Sequence, residues 1–290
     1  MKPLYYFCIL LLSVAGSQNL IAQDTTARQV LEQMKKHLTC SWSQETVDTF
    51  KSGNPDNKVT GIAVCMFADM GTLKKAVENN CNFIIAHEPT FYNHLDKADF
   101  LSNNQVYQKK LEYIEKHGLI ILRFHDHWHR TSPDGIDVGM IQKLGWKKNQ
   151  IDSLEPRFRF KEQTVRDFAI QLQQKLKGSQ LRIIGDPGMK FTNVALSAGA
   201  CGSRAHINVL SDKSTELIVI GEATEWETYQ YVRDASMMGL KKAAIITGHV
   251  ASEEAGMEYC SRWLKSFITN VPVVFIENSP TFWSVPNAEK

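Results

Sequence analysis

Net charge is the scarcest property of this 290-residue chain: 33 Lys and Arg stand against 31 Asp and Glu, a formal +2 at neutral pH. Surfaces that hold nucleic acid or acidic membrane are clustered excesses of Lys and Arg, so neither is expected as a partner. No GxxxxGK[ST] run occurs, which excludes P-loop phosphate chemistry. The six cysteines form no CxxC pair, the spacing that would suggest a thiolate zinc site or a redox couple. There is no low-complexity linker. What remains is an ordinary globular composition, 43% hydrophobic and 22% charged, which excludes disorder and collagen-like architecture. A chain of this length can bury a substantial core without disulfides or structural metals, so a metal here is expected to serve function.

Apolar runs long enough to cross a bilayer are also missing. The one sustained run, residues 4–16, is short, follows Lys2 and leads through Ser17, Gln18 and Asn19 to Ala22 and Gln23. That is the layout of a secretory signal peptide. Residues 1–23 are therefore expected to be removed, leaving a periplasmic or extracellular chain without a membrane span that begins around Asp24. Five cysteines then remain, Cys40, Cys65, Cys81, Cys201 and Cys260. Cys65 and Cys81 lie in apolar, strand-like surroundings and are read as small buried hydrophobes.

The periodicity alternates between helix and strand. A 3.6-residue apolar pattern predicts a helix over 24–38, and the Val- and Ile-rich segment 58–67 predicts a buried strand. A helix over 73–79, a strand over 82–86, a helix over 104–116 and a strand over 119–124 follow. After residue 160 the pattern resumes: helix 162–176, strands 181–184, 193–197 and 216–220, helix 225–238, strand 243–247, helix 252–267 and strand 273–276. This βαβ rhythm predicts an α/β protein of two closely packed halves, 24–150 and 151–290, each with a mostly parallel sheet.

Chemistry gathers at three strand ends. The strand over 82–86 delivers His87 and Glu88, that over 119–124 delivers His125, Asp126, His127 and His129, and that over 243–247 delivers His249 and then Glu253. Ligand sites of parallel sheets form outside the carboxyl ends of the strands. One histidine so placed is more often a satisfied core or surface residue, but five of the nine histidines fall at these three ends. His125, His127 and His129 alternate, so a continuing strand would set all three on one face. His249 and Glu253 are four apart at a helix start and share a face. Imidazoles mixed with carboxylates suit Zn, Mn or Fe better than Ca or Mg. Three histidines and two carboxylates exceed the needs of one tetrahedral zinc with an open position; they suit two divalent transition-metal ions sharing a bridging carboxylate. The charge left over favours a bridging hydroxide and an anionic substrate, and hydrolysis is the natural reaction.

Residues 46–68, 84–92 (IIAHEPTFY), 183–203 and 248–257 (GHVASEEAGM) resemble the Nif-three-like dinuclear metal-centre family, also labelled GTP cyclohydrolase 1 type 2. The similarity keeps the family's order over nearly the whole chain beyond residue 23. It implies two α/β halves with a two-metal site between them, and a homo-oligomer, commonly a toroidal hexamer whose sites face an internal cavity. The chain departs from the family at two places: His87-Glu88 stands where a His-His pair is usual, and His129 follows His125 where an aspartate is usual. The resemblance, with a His and an acid exchanged between loops, implies the ligands His87, Glu88, His129, His249 and Glu253. Glu253 is expected to bridge, and Asp126 is the alternative in the second loop.

Other residues carry two readings each. His125 is either an acid/base group near metal-bound water or a residue that orients a ligand. Glu222, matching a family position close to the site, is either a base or a helix N-terminal charge. The run Gly199-Ala200-Cys201-Gly202-Ser203 either offers N–H groups of Gly199, Gly202 and Ser203 to an anion or makes a tight turn. His94 and His127 are read as polar surface or supporting groups. Glu225, Trp226, Tyr229 and Gln230 stand where the family often has a histidine, so GTP is not carried over as the substrate. The expected function is that of an exported metal-dependent hydrolase of a small anionic or heterocyclic substrate. The alternative is a non-catalytic oligomer that stores or delivers metal or serves as a scaffold.

Overall fold

The computed structural model describes residues 25–283 apart from 154 and 177–179. The expected signal peptide, 1–23, lies outside the described residues. In chain order the elements are α1 (Ala27–His37), β1 (Phe50–Ser52), β2 (Ile62–Cys65), α2 (Met70–Glu78), β3 (Phe83–Ala86), α3 (Gln105–Lys116), β4 (Ile120–Arg123), α4 (Asp126–Arg130) and α5 (Gly135–Leu144). They continue as β5 (Arg157–Thr164), α6 (Val165–Lys175), β6 (Arg182–Ile184), β7 (Lys190–Ser197), α7 (Ser203–Ser211), β8 (Leu217–Ile220), α8 (Gln230–Met237), β9 (Ala243–Ile246), α9 (His249–Lys265) and β10 (Val273–Phe275).

Local chemistry sets many of these boundaries. Thr26 and Gln29 close a reciprocal capping box at the start of α1. Asn104, Asp134 and Thr164 cap α3, α5 and α6 through their side-chain oxygens. The inner strands β2, β3, β4, β8 and β9 are buried along their whole length. Their near-continuous apolar sequences fit strands covered on both faces.

The strands form two sheets, ordered β1-β4-β3-β2-β10 and β5-β7-β8-β9-β6. Inner pairings are parallel, whereas β1, β5 and β6 pair antiparallel at the edges. The fold is thus the expected α/β class with mostly parallel sheets. The segment 151–290 does not close on itself: β10 leaves it to pair with β2 of the first sheet. Helix α9 therefore starts beside the second sheet and ends beside the first. It packs on α5 with almost no side-chain spacing, since a Cβ on Gly139 would strike the Ala255 carbonyl and one on Gly256 would lie 2.5 Å from the Ile136 Cα. Among the described residues no helix is long and apolar enough to cross a membrane.

Five elements escape the periodicity: β1, α4, α5, β5 and α7. The segment 125–129 differs most from expectation, because it is a short helix and not a continuing strand. One buried carboxylate explains it. Asp48 accepts from the N–H groups of His125 (2.6 Å), Asp126 (3.0 Å) and His127 (2.8 Å), so three successive amides are turned toward a single anion. In the helix His125 and His129 share a face, and His127 turns away from it.

Candidate metal centre

Three chain segments bring imidazoles and carboxylates together: the residues after β3, the turn into α4 and the first turn of α9. His87, fully buried, sets its Nδ1 3.1 Å from the Phe124 carbonyl, so Nδ1–H donates and Nε2 keeps its lone pair. That Nε2 lies 3.2 Å from Nε2 of His129, whose Nδ1 is 2.9 Å from Asp134 Oδ2. His125 sets Nδ1 3.0 Å from Asp126 Oδ1 and directs Nε2 to within 3.8 Å of Glu88 Oε1. His249 sets Nδ1 3.3 Å from Glu222 Oε1, and its Nε2 lies 3.0 Å from Glu253 Oε2 and 3.1 Å from Glu88 Oε1. All four rings are therefore oriented in the same sense, with Nδ1 engaged outside and Nε2 facing one centre.

Glu253 lies between the rings. Its Oε2 is 3.7 Å from His87 Nε2, and its Oε1 is 3.8 Å from His129 Nε2. Oε2 thus faces His87 and His249 while Oε1 faces His129, so the two oxygens address different imidazoles, as a bridging carboxylate would. Donor atoms of His87, His125 and His129 lie within 4.8 Å of one another, as do those of His87, Glu88 and Glu253. These groups could hold a metal ion.

The charge distribution tests that fit. Burial alone would lower the His249 imidazole, yet hydrogen bonds to Glu222, Glu253 and Glu88 push it up to about 12. The carboxylates thus gather positive charge at that nitrogen. Burial, with His129 and His125 as neighbours, pushes His87 well below its usual range, which leaves it neutral as a metal ligand requires. A neutral His87, and a His249 whose proton the surrounding carboxylates hold in place of a cation, suit a borderline transition-metal ion that would displace that proton.

The structure brings His87, Glu88, His129, His249 and Glu253 together and adds His125 Nε2 to the same group. Asp126 turns outward: its Oδ2 accepts from Thr46 Oγ1 (2.9 Å) and from the Val47 N–H (3.1 Å). Burial opposes its ionisation, but His125, Val47 and Thr46 hold the carboxyl down at about 2. The Gly199 amide is not open to an anion, because it donates to Ser252 Oγ at 2.8 Å. Gly199 serves by its missing side chain. With φ at +66°, any Cβ there would run into the Glu253 carboxylate. Gly202 also has positive φ and opens α7, whose Ser203 Oγ is buried without a partner among the described residues. Glu222, half exposed, is held below the usual carboxylate range chiefly by its hydrogen bond to His249. His94 is exposed, its ring centroid 6.2 Å from that of His125.

Sequence reasoning missed three supporting residues, Asp48, Arg123 and Asp134. The run Ser132-Pro133-Asp134-Gly135 carries a turn and cap signature that points to Asp134. Nothing local marks Asp48, which acts across 77 residues on His125.

The two sheets and this cluster define a class of two-sheet α/β proteins with an imidazole–carboxylate centre at the sheet ends. The chain belongs to the Duf34/NIF3 (NGG1p interacting factor 3) family, whose pattern matches residues 25–281. It is 22% identical over 243 residues to a Clostridium acetobutylicum protein called GTP cyclohydrolase 1 type 2 homolog, covering 78% of this chain and 86% of that one. A Chlamydia trachomatis protein of the same name is 21% identical over 79% of this chain and 88% of its own. Among solved structures, a Bacillus cereus protein related to NIF3 superposes with a TM-score of 0.71 at 14% identity, covering 91% of this chain and all of that one. Staphylococcus aureus protein SA1388 gives 0.71 at 16% identity, covering 90% and 100%. These structural likenesses concern the fold.

Proposed function

We propose that the protein is an exported, metal-dependent hydrolase of a small anionic or heterocyclic substrate, with two divalent transition-metal ions (Zn, Mn or Fe) held by His87, Glu88, His125, His129, His249 and Glu253. The observation that carries this reading is the convergence of four Nε2 atoms and two carboxylates. When bound, such ions supply Lewis acidity and bring the pKa of coordinated water toward neutrality.

The chain's own residues orient and bind. Phe124, Asp134, Asp126 and Glu222 hold the four Nδ1 positions, so that each Nε2 is aimed at the centre, where a bound cation would take the place of the proton on His249. Glu253 would be the carboxylate shared between the ions, its approach kept open by Gly199. Of the readings open for them, His125 fits better as a donor than as an acid/base or orienting group, and Glu222 better as the residue orienting His249 than as a base or a helix N-terminal charge. The N-terminal turn of α7, with Gly202 and Ser203, is the candidate contact for a substrate anion. Exposed Trp226, Phe282 and Trp283 supply apolar surface that a homo-oligomer, in this reading a hexamer, would cover.

The test uses chain prepared without an affinity-tag histidine run and without added metal. Elemental analysis should find about two ions per chain, and the loaded protein should turn over members of a panel of nucleotides, phosphoesters, amides and cyclic imides. Metal without turnover would favour storage, delivery or a scaffold role; no metal would overturn both readings. N-terminal sequencing of exported protein should begin near Asp24, and native mass should correspond to six chains.

A further inference from the structure

Arg123 ends β4 and is fully buried. A guanidinium in that position needs both its N–H groups and its charge matched. Its Nε donates to the His87 carbonyl at 3.2 Å, and Nη1 donates to the His94 carbonyl. Nη2 makes no hydrogen bond among the described residues, and it lies 3.5 Å from Glu88 Oε2. The other nearby anion, Asp96, has Oδ2 3.8 Å from Nη1 and 3.4 Å from the Lys51 ammonium. Lys51 thus neutralises Asp96, and the charge of Arg123 falls to Glu88.

The two oxygens of Glu88 are consequently divided. Oε2 faces Arg123, whereas Oε1 faces His249 and His125 within the centre. The same guanidinium ties both ends of the segment from His87 to His94 by its carbonyls. We infer that Arg123 is a positioning residue of the metal centre, which holds Glu88 so that Oε1 alone is offered to the ions. This rests on the reading of the cluster as a metal site. A planar fork that meets two carbonyls and a carboxylate at once is a geometry lysine does not reproduce, so the role belongs to the guanidinium and not to positive charge alone.

The test is a double-substitution cycle read by metal binding, with Zn2+ titrated into metal-free chain and ions counted by elemental analysis. Wild-type chain that binds no metal overturns the metal-centre reading itself, separately from the role of Arg123. If wild type binds two ions, Arg123→Gln and Arg123→Lys are expected to weaken one of them about tenfold to a hundredfold, the range usual for residues that support a ligand. In the Glu88→Gln background, depleted of metal as prepared but titrated with Zn2+ to concentrations at which its weakened binding is measurable, the same changes should add less than about threefold. Folded Arg123 variants that bind both ions like wild type would overturn the inference, as would an equal loss in both backgrounds. A crystal structure of zinc-loaded wild type decides the matter without any variant. Glu88 should meet zinc through Oε1 with Oε2 against Nη2; both oxygens on zinc, or Arg123 turned from Glu88, would refute it.

Discussion

His127 donates from Nδ1 to the Asp48 carboxylate at 2.6 Å, its tautomer fixed because Nε2 accepts the Ser43 N–H at 2.8 Å. Trp42 stacks on the imidazole with centroids 3.8 Å apart. The pair is buried, and the Asp48 carboxylate also gathers the first amides of α4. Asp48→Ala would leave these donors unpaired and is expected to cost about 3 kcal/mol, measured by urea unfolding. Metal affinity should fall with it, since α4 carries His125 and His129.

Gly199→Ala puts a methyl group against the Glu253 carboxylate and asks alanine to hold a left-handed backbone. The conformational cost is about 1–2 kcal/mol, small enough for the chain to remain folded. Metal content, read by elemental analysis, should drop by about one ion or more while the far-ultraviolet circular dichroism stays unchanged.

Glu88→Gln and His129→Ala should each lose metal, and unchanged content in both would refute the ligand assignment. His125→Ala separates the two readings of that residue. As a donor its loss lowers the metal count; as an acid/base group its loss leaves the count intact and removes a limb of the pH–rate profile.

Lys110 is buried and donates to the Thr90 carbonyl at 2.6 Å. Burial pushes its ammonium down to about 8. Between that pH and the usual lysine value the unfolded chain holds a proton that the folded chain has shed, so stability rises with pH across the window. The contribution is on the order of 3 kcal/mol; below pH 8 both states are protonated and it is flat. Urea midpoints at pH 7, 8.5 and 10 should show this slope in wild type and a shallower one in Lys110→Met.

Periodicity located the inner strands because sequences such as Leu217–Ile220 and Ala243–Ile246 are apolar throughout and admit few alternatives. It missed β5, where Phe158 and Phe160 alternate with Arg157, Arg159 and Lys161: the alternation is short and strongly basic, and the expected helix over 162–176 overlaps the end of the strand. The three ligand-bearing strand ends were legible, since topology places them together whatever the side-chain details. The conformation of 125–129 was not, for it depends on Asp48, whose distance in sequence hides it from any local pattern. Likewise Arg123 reads as one more strand residue until the fold sets Glu88 against it.

The pairing of β10 with β2 joins Val273 to Ile62, so the first sheet acquires its edge only from the end of the chain. Asn278, just beyond, accepts the Met66 and Phe67 amides at 3.1 and 3.0 Å and fastens the turn after β2. During synthesis the strand bearing His87 emerges early, long before α9 supplies His249 and Glu253. Loop closure over such a separation is entropically costly and slow. Assembly of the centre therefore waits for α9, and a product ending between α9 and β10 would carry every proposed ligand on a first sheet that lacks its edge.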